Sequence, residues 1–346
     1  MANSHKHKRG YNFKSQIEMK KLTLNTTKPA NTPDQTIKKY GTTKRTGRLA
    51  IRVGVPAHNE EANIGYLLKS ILAQKTDLFF LKEIIVISDA STDKTVENVH
   101  ALMSKKIKII EHSERKGKLS SLNELFEIFQ GDILIQFDAD IKLGNLLVVK
   151  ELIKPFLLNN NVAMVCGSHM PWPPKSFIEK AAFFGVQVWE DAISMLGEYG
   201  ERYRCTGQIR AFSKDFSKKL RFPLDLGSGE DTFSFYFAKV NNFKVVFAKK
   251  ALVYHKLSST LNDYTKQVSR FIYAKNQMNQ YFGAKQCKKY ETMTLAIRVR
   301  ALLKNLRKTS PFTVLGFLIL HIAPRMTVLT YNHKPVWDMA KSSKNF

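Results

Sequence analysis

Four short apolar runs alternate with three helical patterns between residues 51 and 137, and few architectures accept that order. The expected strands are 51–56, 83–88 (EIIVIS), 107–111 and 132–137 (DILIQF); the expected helices are 60–74, 93–103 and 118–129. In 60–74, Ile64, Leu67, Leu68, Ile71 and Leu72 recur at helical spacing and form one apolar face. Continuous apolar runs such as EIIVIS suit strands buried on both faces. The alternation predicts an α/β fold with a parallel sheet and right-handed crossovers.

After residue 137 the pattern loosens. A helix is expected over 144–158, a strand over 162–167, a rigid PWPP loop at 171–174 and a long aromatic-rich helix over 176–196. Further strands are expected at 205–212, 243–247 and 252–255, with helices at 231–240 and 261–281. Over 292–308, Leu295, Val299, Leu302, Leu303 and Leu306 form one stripe, with Arg298, Arg300, Lys304, Arg307 and Lys308 largely elsewhere. A basic amphipathic helix of this form suits a membrane surface. The apolar run 312–323 ends at Pro324 and Arg325, short of the roughly 20 residues a spanning helix needs. It is expected either at a membrane interface or buried under the core. Extension through 326–331 reaches spanning length only by taking Arg325 into the membrane.

The net charge of +26 is concentrated at the ends. Residues 1–50 hold twelve Lys or Arg against Glu18 and Asp34, and 283–346 hold twelve against Glu291 and Asp338. Such ends suit docking onto an anionic surface, with a membrane face or RNA as candidates. A nucleic-acid enzyme would line its central groove with positive charge, so no nucleic-acid partner is expected. Residues 1–50 are polar and aperiodic, a basic flexible arm, and no apolar stretch follows the basic start as in a signal peptide. Cys166, Cys205 and Cys287 lie far apart in sequence and fit a reducing, cytoplasmic setting. The expected organisation is an arm (1–50), one α/β domain (51–282) and a basic, partly apolar segment at the membrane interface (283–346).

The residues that can carry chemistry follow the expected strands. Asp138 and Asp140, in Phe137-Asp138-Ala139-Asp140, point the same way in extended backbone, at the sheet edge where open α/β folds bind ligands. Paired carboxylates suit Mg²⁺ or Mn²⁺, and equally a solvated turn. Asp89, in SDASTD, can accept from a ligand's imide or amide, while Ser91 to Asp93 can cap a helix. VPAHNEE after the first strand reads as a second ligand loop or as a plain strand-to-helix turn. His255, at the end of an apolar run, is a candidate metal ligand or a hydrogen-bonded strand-end histidine.

The series VPAHNEEANI, SDASTD, GKLSSLN, FDAD, GED and QVSRF resembles the inverting family 2 glycosyltransferases of GT-A fold, over roughly 51–282. The resemblance implies a Rossmann-like, mostly parallel sheet and a transferase that uses a nucleotide sugar, commonly UDP-linked. It implies that Pro56, Ala57 and Glu60 line the nucleotide pocket, that Asp89 contacts the base and that Lys118 lies near the base or diphosphate. Asp138 would face the ribose and Asp140 the metal, Mn²⁺ or Mg²⁺. Asp231 matches the catalytic base, with Glu230 beside it to orient it. Gln267 and Arg270 match the Q-x-x-R-W signature of processive members, whose acceptors are lipid-linked sugars or growing glycans. Phe271 stands where that signature has Trp, and Ser88 replaces the first Asp of the usual D-D-x-S. Gly207 falls in the acceptor-proximal segment and would allow close backbone approach. The implied partners are a nucleotide sugar donor, a glycan or lipid-linked acceptor and an anionic membrane surface at the cytoplasmic face.

Two rivals remain at this level. A sugar nucleotidyltransferase would carry a Gly-rich phosphate loop near its first strand, where GVPAHNEEANIG instead places acids. A non-catalytic RNA- or membrane-binding scaffold has no need of Asp138, Asp140 and Asp231 together.

Overall fold

The computed structural model describes residues 48–328 and 341–344, apart from residues 76, 227 and 308. The arm expected over 1–50 lies outside the described residues up to residue 47, as does the far end of the 326–331 extension.

Eight strands form one sheet. They are β1 (Leu49–Ala57), β2 (Phe79–Asp89), β3 (Ile107–His112), β4 (Ile133–Phe137), β5 (Ile141–Leu143), β6 (Val162–Pro171), β7 (Ile209–Ser213) and β8 (Lys244–His255), in the order β3-β2-β1-β4-β7-β6-β8-β5. β1 pairs in parallel with β2 and β4, and β2 in parallel with β3, as the alternation predicts. Beyond β4 the sheet is mixed: β7 runs antiparallel to β4 and β6, while β6 and β8 are parallel.

The chain runs outward from β1 to β3, then returns to place β4 on the other side of β1. The crevice at the carboxyl ends of β1 and β4 is therefore a topological switch point, the usual ligand position in open α/β sheets. Val53, Val55, Ile84, Val86, Ile135 and Phe137 are sealed in the core. α1 (Ile64–Leu72) buries Ile64, Leu67, Leu68 and Ile71 against them, at about 1.5–3 kcal/mol per side chain. α2 (Thr95–His100), α3 (Lys118–Ile128) and α4 (Val148–Leu158) complete the crossovers and the early flank.

Four helices form a layer beside the sheet: α5 (Phe177–Leu196), α8 (Leu261–Phe282), α10 (Leu295–Leu306) and α11 (Pro311–Val328). α6 (Lys214–Lys219), α7 (Glu230–Val240) and α9 (Ala284–Tyr290) link these parts. α11 packs on α5 at its Gly316, where a Cβ would stand 2.8 Å from the Phe177 ring, and on α8, where Ser269 Oγ donates to the Pro324 carbonyl (3.2 Å). It runs through Pro324 rather than stopping before it. One face stays exposed, with Phe312, Leu315, Ile322 and Met326 in solvent. Thus the run expected at 312–323 is half buried, and among the described residues no helix is long and apolar enough to cross a membrane.

Cys166 and Cys205, distant in sequence, meet as buried free thiols with Sγ atoms 3.0 Å apart. No cysteine cluster of metal type forms among the described residues.

Candidate active site

The loops after β1 and β2 are stitched to each other. Asn59 donates its N–H to Ser91 Oγ (3.2 Å), and its Oδ1 accepts from the Thr92 N–H (2.8 Å). The Glu60 N–H donates to Thr95 Oγ1 (2.7 Å), the Glu61 N–H donates to Asp93 Oδ2 (3.0 Å), and Glu61 Oε2 accepts from the Lys94 N–H (3.0 Å). Asn59 and Ala90 adopt φ of 53° and 55°. Left-handed backbone at non-glycine residues persists where surrounding bonds enforce it, and it clusters at binding sites. Ser91 and Thr92 therefore bridge loops rather than cap α2, whereas Asp93 Oδ1 does accept from the Thr95 N–H (3.0 Å) at the start of that helix.

Asp89 ends β2, buried. Its carboxylate accepts from the N–H groups of Lys116 (2.7 Å) and Gly117 (2.9 Å) and lies 3.1 Å from His112 Nδ1, whose Nε2 meets Glu124 (2.8 Å). Burial pushes the Asp89 carboxyl up, but these donors outweigh it and hold it below its ordinary value. Asp89 thus anchors the 112–117 loop that leads into α3. His58 Nδ1 donates to the Asp89 carbonyl (2.7 Å), which ties the first loop to the same point.

The polar centre lies at the end of β4. Lys118, the first residue of α3, places Nζ 2.7 Å from Asp138 Oδ1 and 2.7 Å from Glu230 Oε1. Gln136 donates to Asp138 Oδ1 (2.9 Å) and to the Gly207 carbonyl (3.0 Å). Arg210, opposite Gln136 in the β4–β7 register and without exposed surface, donates Nε to Gln136 Oε1 (3.0 Å) and Nη1 to Ser234 Oγ (3.1 Å). Its Nη2 stands 3.8 Å from Glu230. A Lys–Arg pair thus faces two carboxylates in one cluster. Gln136 and Arg210 carry no motif; the visible signals were a polar residue inside DILIQF and an arginine among the apolar residues that precede α6.

Burial raises the Glu230 carboxyl, but Lys118 and Arg210 overcome it and bring the group to about 2. Asp231 goes the other way: burial and the adjacent Glu230 charge raise it. Asp140 is pushed up to about 6 by burial and by Asp138. Neighbouring acids with opposed shifts are the pattern from which acid and base roles are assigned.

Gly229 precedes Glu230 at φ 87°, and a Cβ there would stand 2.8 Å from the Ala274 Cβ on α8. At Gly207 a Cβ would stand 2.8 Å from Glu230 Oε1. Gly207→Ala is therefore expected to displace Glu230 and lower stability by about 1–3 kcal/mol, read as a fall in melting temperature; an unchanged transition would contradict this packing.

The remaining expected residues spread around this centre. Pro56 and Ala57 end β1 at the crevice, and Glu60 lies buried in the loop that follows. His255 pairs with Ile141, the neighbour of Asp140. Its ring lies 5.1 Å from that of His169, and the Nδ1 atoms of both are buried without a partner. Burial lowers these imidazoles to about 3 and about 4, so both are neutral. Among the described residues no group of three or more His, Cys, Asp or Glu is assembled for a metal ion. Gln267, Arg270 and Phe271 lie on α8: Gln267 Oε1 accepts from Ser258 Oγ (3.2 Å), the Arg270 carbonyl accepts from Ser228 Oγ (3.0 Å), and the Phe271 ring is exposed.

Residues 52–220, which contain the switch-point crevice and most of this cluster, match the family model described as glycosyl transferase family 2. The chain carries a family 2 glycosyltransferase domain. The domain is 31% identical over 96 residues to an uncharacterised glycosyltransferase of Synechocystis sp., covering 27% of this chain and 30% of that protein. It is 32% identical over 95 residues to the dolichol-phosphate mannosyltransferase of Pyrococcus furiosus, covering 27% and 26%. The matched part thus spans less than a third of these curated relatives. The mannosyltransferase PcManGT from Pyrobaculum calidifontis, solved in complex with GDP-Man and Mn²⁺, shares the fold of this chain, with a TM-score of 0.57, 18% identity and coverage of 92% and 94% of the two chains.

Proposed function

We propose that this chain transfers a hexose or N-acetylhexosamine from a nucleotide sugar, UDP-linked, to a hydroxyl of a lipid-linked or polysaccharide acceptor, with inversion. The observation that carries the reading is the Lys118–Asp138–Glu230 cluster with Asp231 beside it, at the switch point of a family 2 domain. Asp231 serves as general base: its raised carboxyl takes a proton more readily than an ordinary carboxylate, and Glu230, held ionised by Lys118 and Arg210, sustains that shift. Attack from the face opposite the leaving group inverts the anomeric carbon in one step, so no enzyme nucleophile is required. The donor set fits a hard divalent cation, Mn²⁺ or Mg²⁺: burial and the Asp138 charge raise the Asp140 carboxyl, a charge that a cation would offset, and His255 offers a neutral nitrogen. Asp140, Asp138 and His255 would hold the ion, which when bound supplies Lewis-acid neutralisation of the departing diphosphate. Gln267, Arg270 and Phe271 on α8 and the Gly207 backbone face the acceptor and diphosphate side in this reading.

The test is nucleoside diphosphate release from UDP-, GDP- and dTDP-sugars. Release from UDP-sugars alone supports the donor assignment, release from GDP-sugars moves it to the nucleotide bound by PcManGT, and no release from any removes the reading. The base must be ionised, and its folded value lies above the ordinary 3.8. The acid limb of kcat/KM is therefore expected above pH 3.8, with activity lost as pH falls through it.

The segment over 283–346 is proposed to seat the enzyme on an anionic membrane at the cytoplasmic face. The exposed apolar face of α11 and the exposed Arg298 and Arg300 of α10, with Arg307 at its C-terminal end, support this. Each basic residue near an anionic surface is worth about 1 kcal/mol, so Arg298→Gln with Arg300→Gln is expected to weaken flotation with anionic vesicles about 30-fold. Equal flotation with neutral vesicles would contradict the charge component.

A further inference from the structure

Residues 341–344 return to the crevice at the end of β1. Ser342 donates its N–H to Asp263 Oδ2 (2.9 Å), and its Oγ accepts from the Ser259 N–H (3.2 Å), which pins the segment to the start of α8. From that anchor Lys344 reaches the loop after β1. Its ammonium pairs with Glu60 Oε1 and donates to the His58 carbonyl (3.3 Å). Its own carbonyl accepts from Asn63 Nδ2, which also holds Glu60 Oε2 (3.0 Å). Glu60 is buried, so the pair closes over the crevice rather than lying on open surface.

We propose that residues 341–344 are a competitive plug of the donor pocket, which a nucleoside diphosphate must displace, so that the free enzyme is held in a nucleotide-excluding state. The proposal rests on the reading of Pro56, Ala57, Glu60 and Asp89 as the nucleotide pocket. The Lys344 ammonium sits on Glu60 Oε1 and on the His58 carbonyl, so a nucleotide that approaches these acceptors from the crevice meets the lysine first. The plug is built to leave. Burial depresses the Lys344 ammonium to about 8 despite its carboxylate partner, so this charge is held at a cost that release to water removes. Its other anchors are a few hydrogen bonds: Ser342 N–H to the Asp263 carboxylate, Ser259 N–H to Ser342 Oγ, and the Lys344 bonds to Asn63 and the His58 carbonyl.

Apparent affinity falls by the fraction of molecules that are open. If about one molecule in ten is open, opening the rest tightens nucleotide binding about tenfold. Lys344→Glu sets a like charge against Glu60 and ejects the segment, and Ser342→Pro removes the N–H that Asp263 holds. Titration calorimetry with UDP and with GDP, each with Mn²⁺, compares both variants with the wild type. About tenfold tighter binding in both variants is expected, with the melting temperature of the free protein little changed. Equal binding in all three proteins overturns the plug and leaves the donor pocket standing. Weaker binding in Lys344→Glu also overturns it, and makes Lys344 part of the donor site. Binding by none of the proteins removes the donor reading, and the plug with it. Hydrogen exchange on the wild type needs no variant: saturating UDP with Mn²⁺ should speed exchange of the Ser342 amide, and slower or unchanged exchange would contradict displacement.

Discussion

Asp231→Asn is expected to lower kcat by about 10²–10⁴-fold, the usual contribution of a positioned general base, without weakening nucleotide binding. The substitution keeps the side-chain oxygen that accepts from the Thr232 N–H (2.5 Å), so the start of α7 should hold its shape. It also removes a charge that burial and Glu230 both oppose. The folded protein should therefore melt at the same temperature as the wild type or somewhat higher at neutral pH. Steady-state rates and thermal unfolding on the same preparation separate these effects. Full turnover in a stable Asp231→Asn protein would remove Asp231 as base. Lost turnover with a large fall in melting temperature would instead mark it as structural.

Removing Lys118 should act chiefly on the fold. Lys118→Met leaves Asp138 and Glu230 facing each other without their shared ammonium, and among the described residues Glu230 then keeps Arg210 as its cationic partner, at 3.8 Å. Breaking a buried ion pair from one side costs about 3–5 kcal/mol. At about 2–4 °C per kcal/mol for a domain of this size, the melting temperature should fall by roughly 6–20 °C. The pH dependence has a definite sign. Glu230 has a folded value of about 2, below its ordinary 4.5, so its contribution is present above 4.5 and is lost as pH falls toward 2. The deficit of Lys118→Met should therefore be largest near neutrality and shrink below pH 4.5. A deficit that is constant with pH would point to packing of the lysine stem rather than to its charge.

The half of the sheet nearest the N-terminus was legible because each element there obeys a local rule. EIIVIS and DILIQF are apolar because both faces of β2 and β4 are covered, and the helices between them show their buried stripes directly. The loops expected to meet a ligand could be placed for the same reason, since they follow those strands. Long-range pairing hid the rest. β5 has three residues, and its partner β8 lies more than a hundred residues away. The expected break between strands at 243–247 and 252–255 is a register shift inside one strand: Gly167 faces Ala248 and Ser168 faces Leu252, so residues 249–251 bulge without ending β8. α11 ignores the stop signal of Pro324 because its packing on α5 and α8 outweighs one missing N–H. In the site, the carboxylates were visible as motifs. Their supports were not: Gln136, Arg210, His112 and Lys344 become meaningful only when strand register and chain return bring them to the acids.

In the proposed reading this crevice binds a nucleoside diphosphate with a divalent cation held by Asp140. Thermal unfolding with Mn²⁺ and UDP, GDP or dTDP, on wild type and Asp140→Asn, tests it most directly. A ligand at 100 times its Kd adds about 2.7 kcal/mol, which at this size is a shift of roughly 5–10 °C. That shift is expected with UDP and Mn²⁺ together, and its loss in Asp140→Asn. No shift with any nucleotide, or an equal shift in Asp140→Asn, would contradict it.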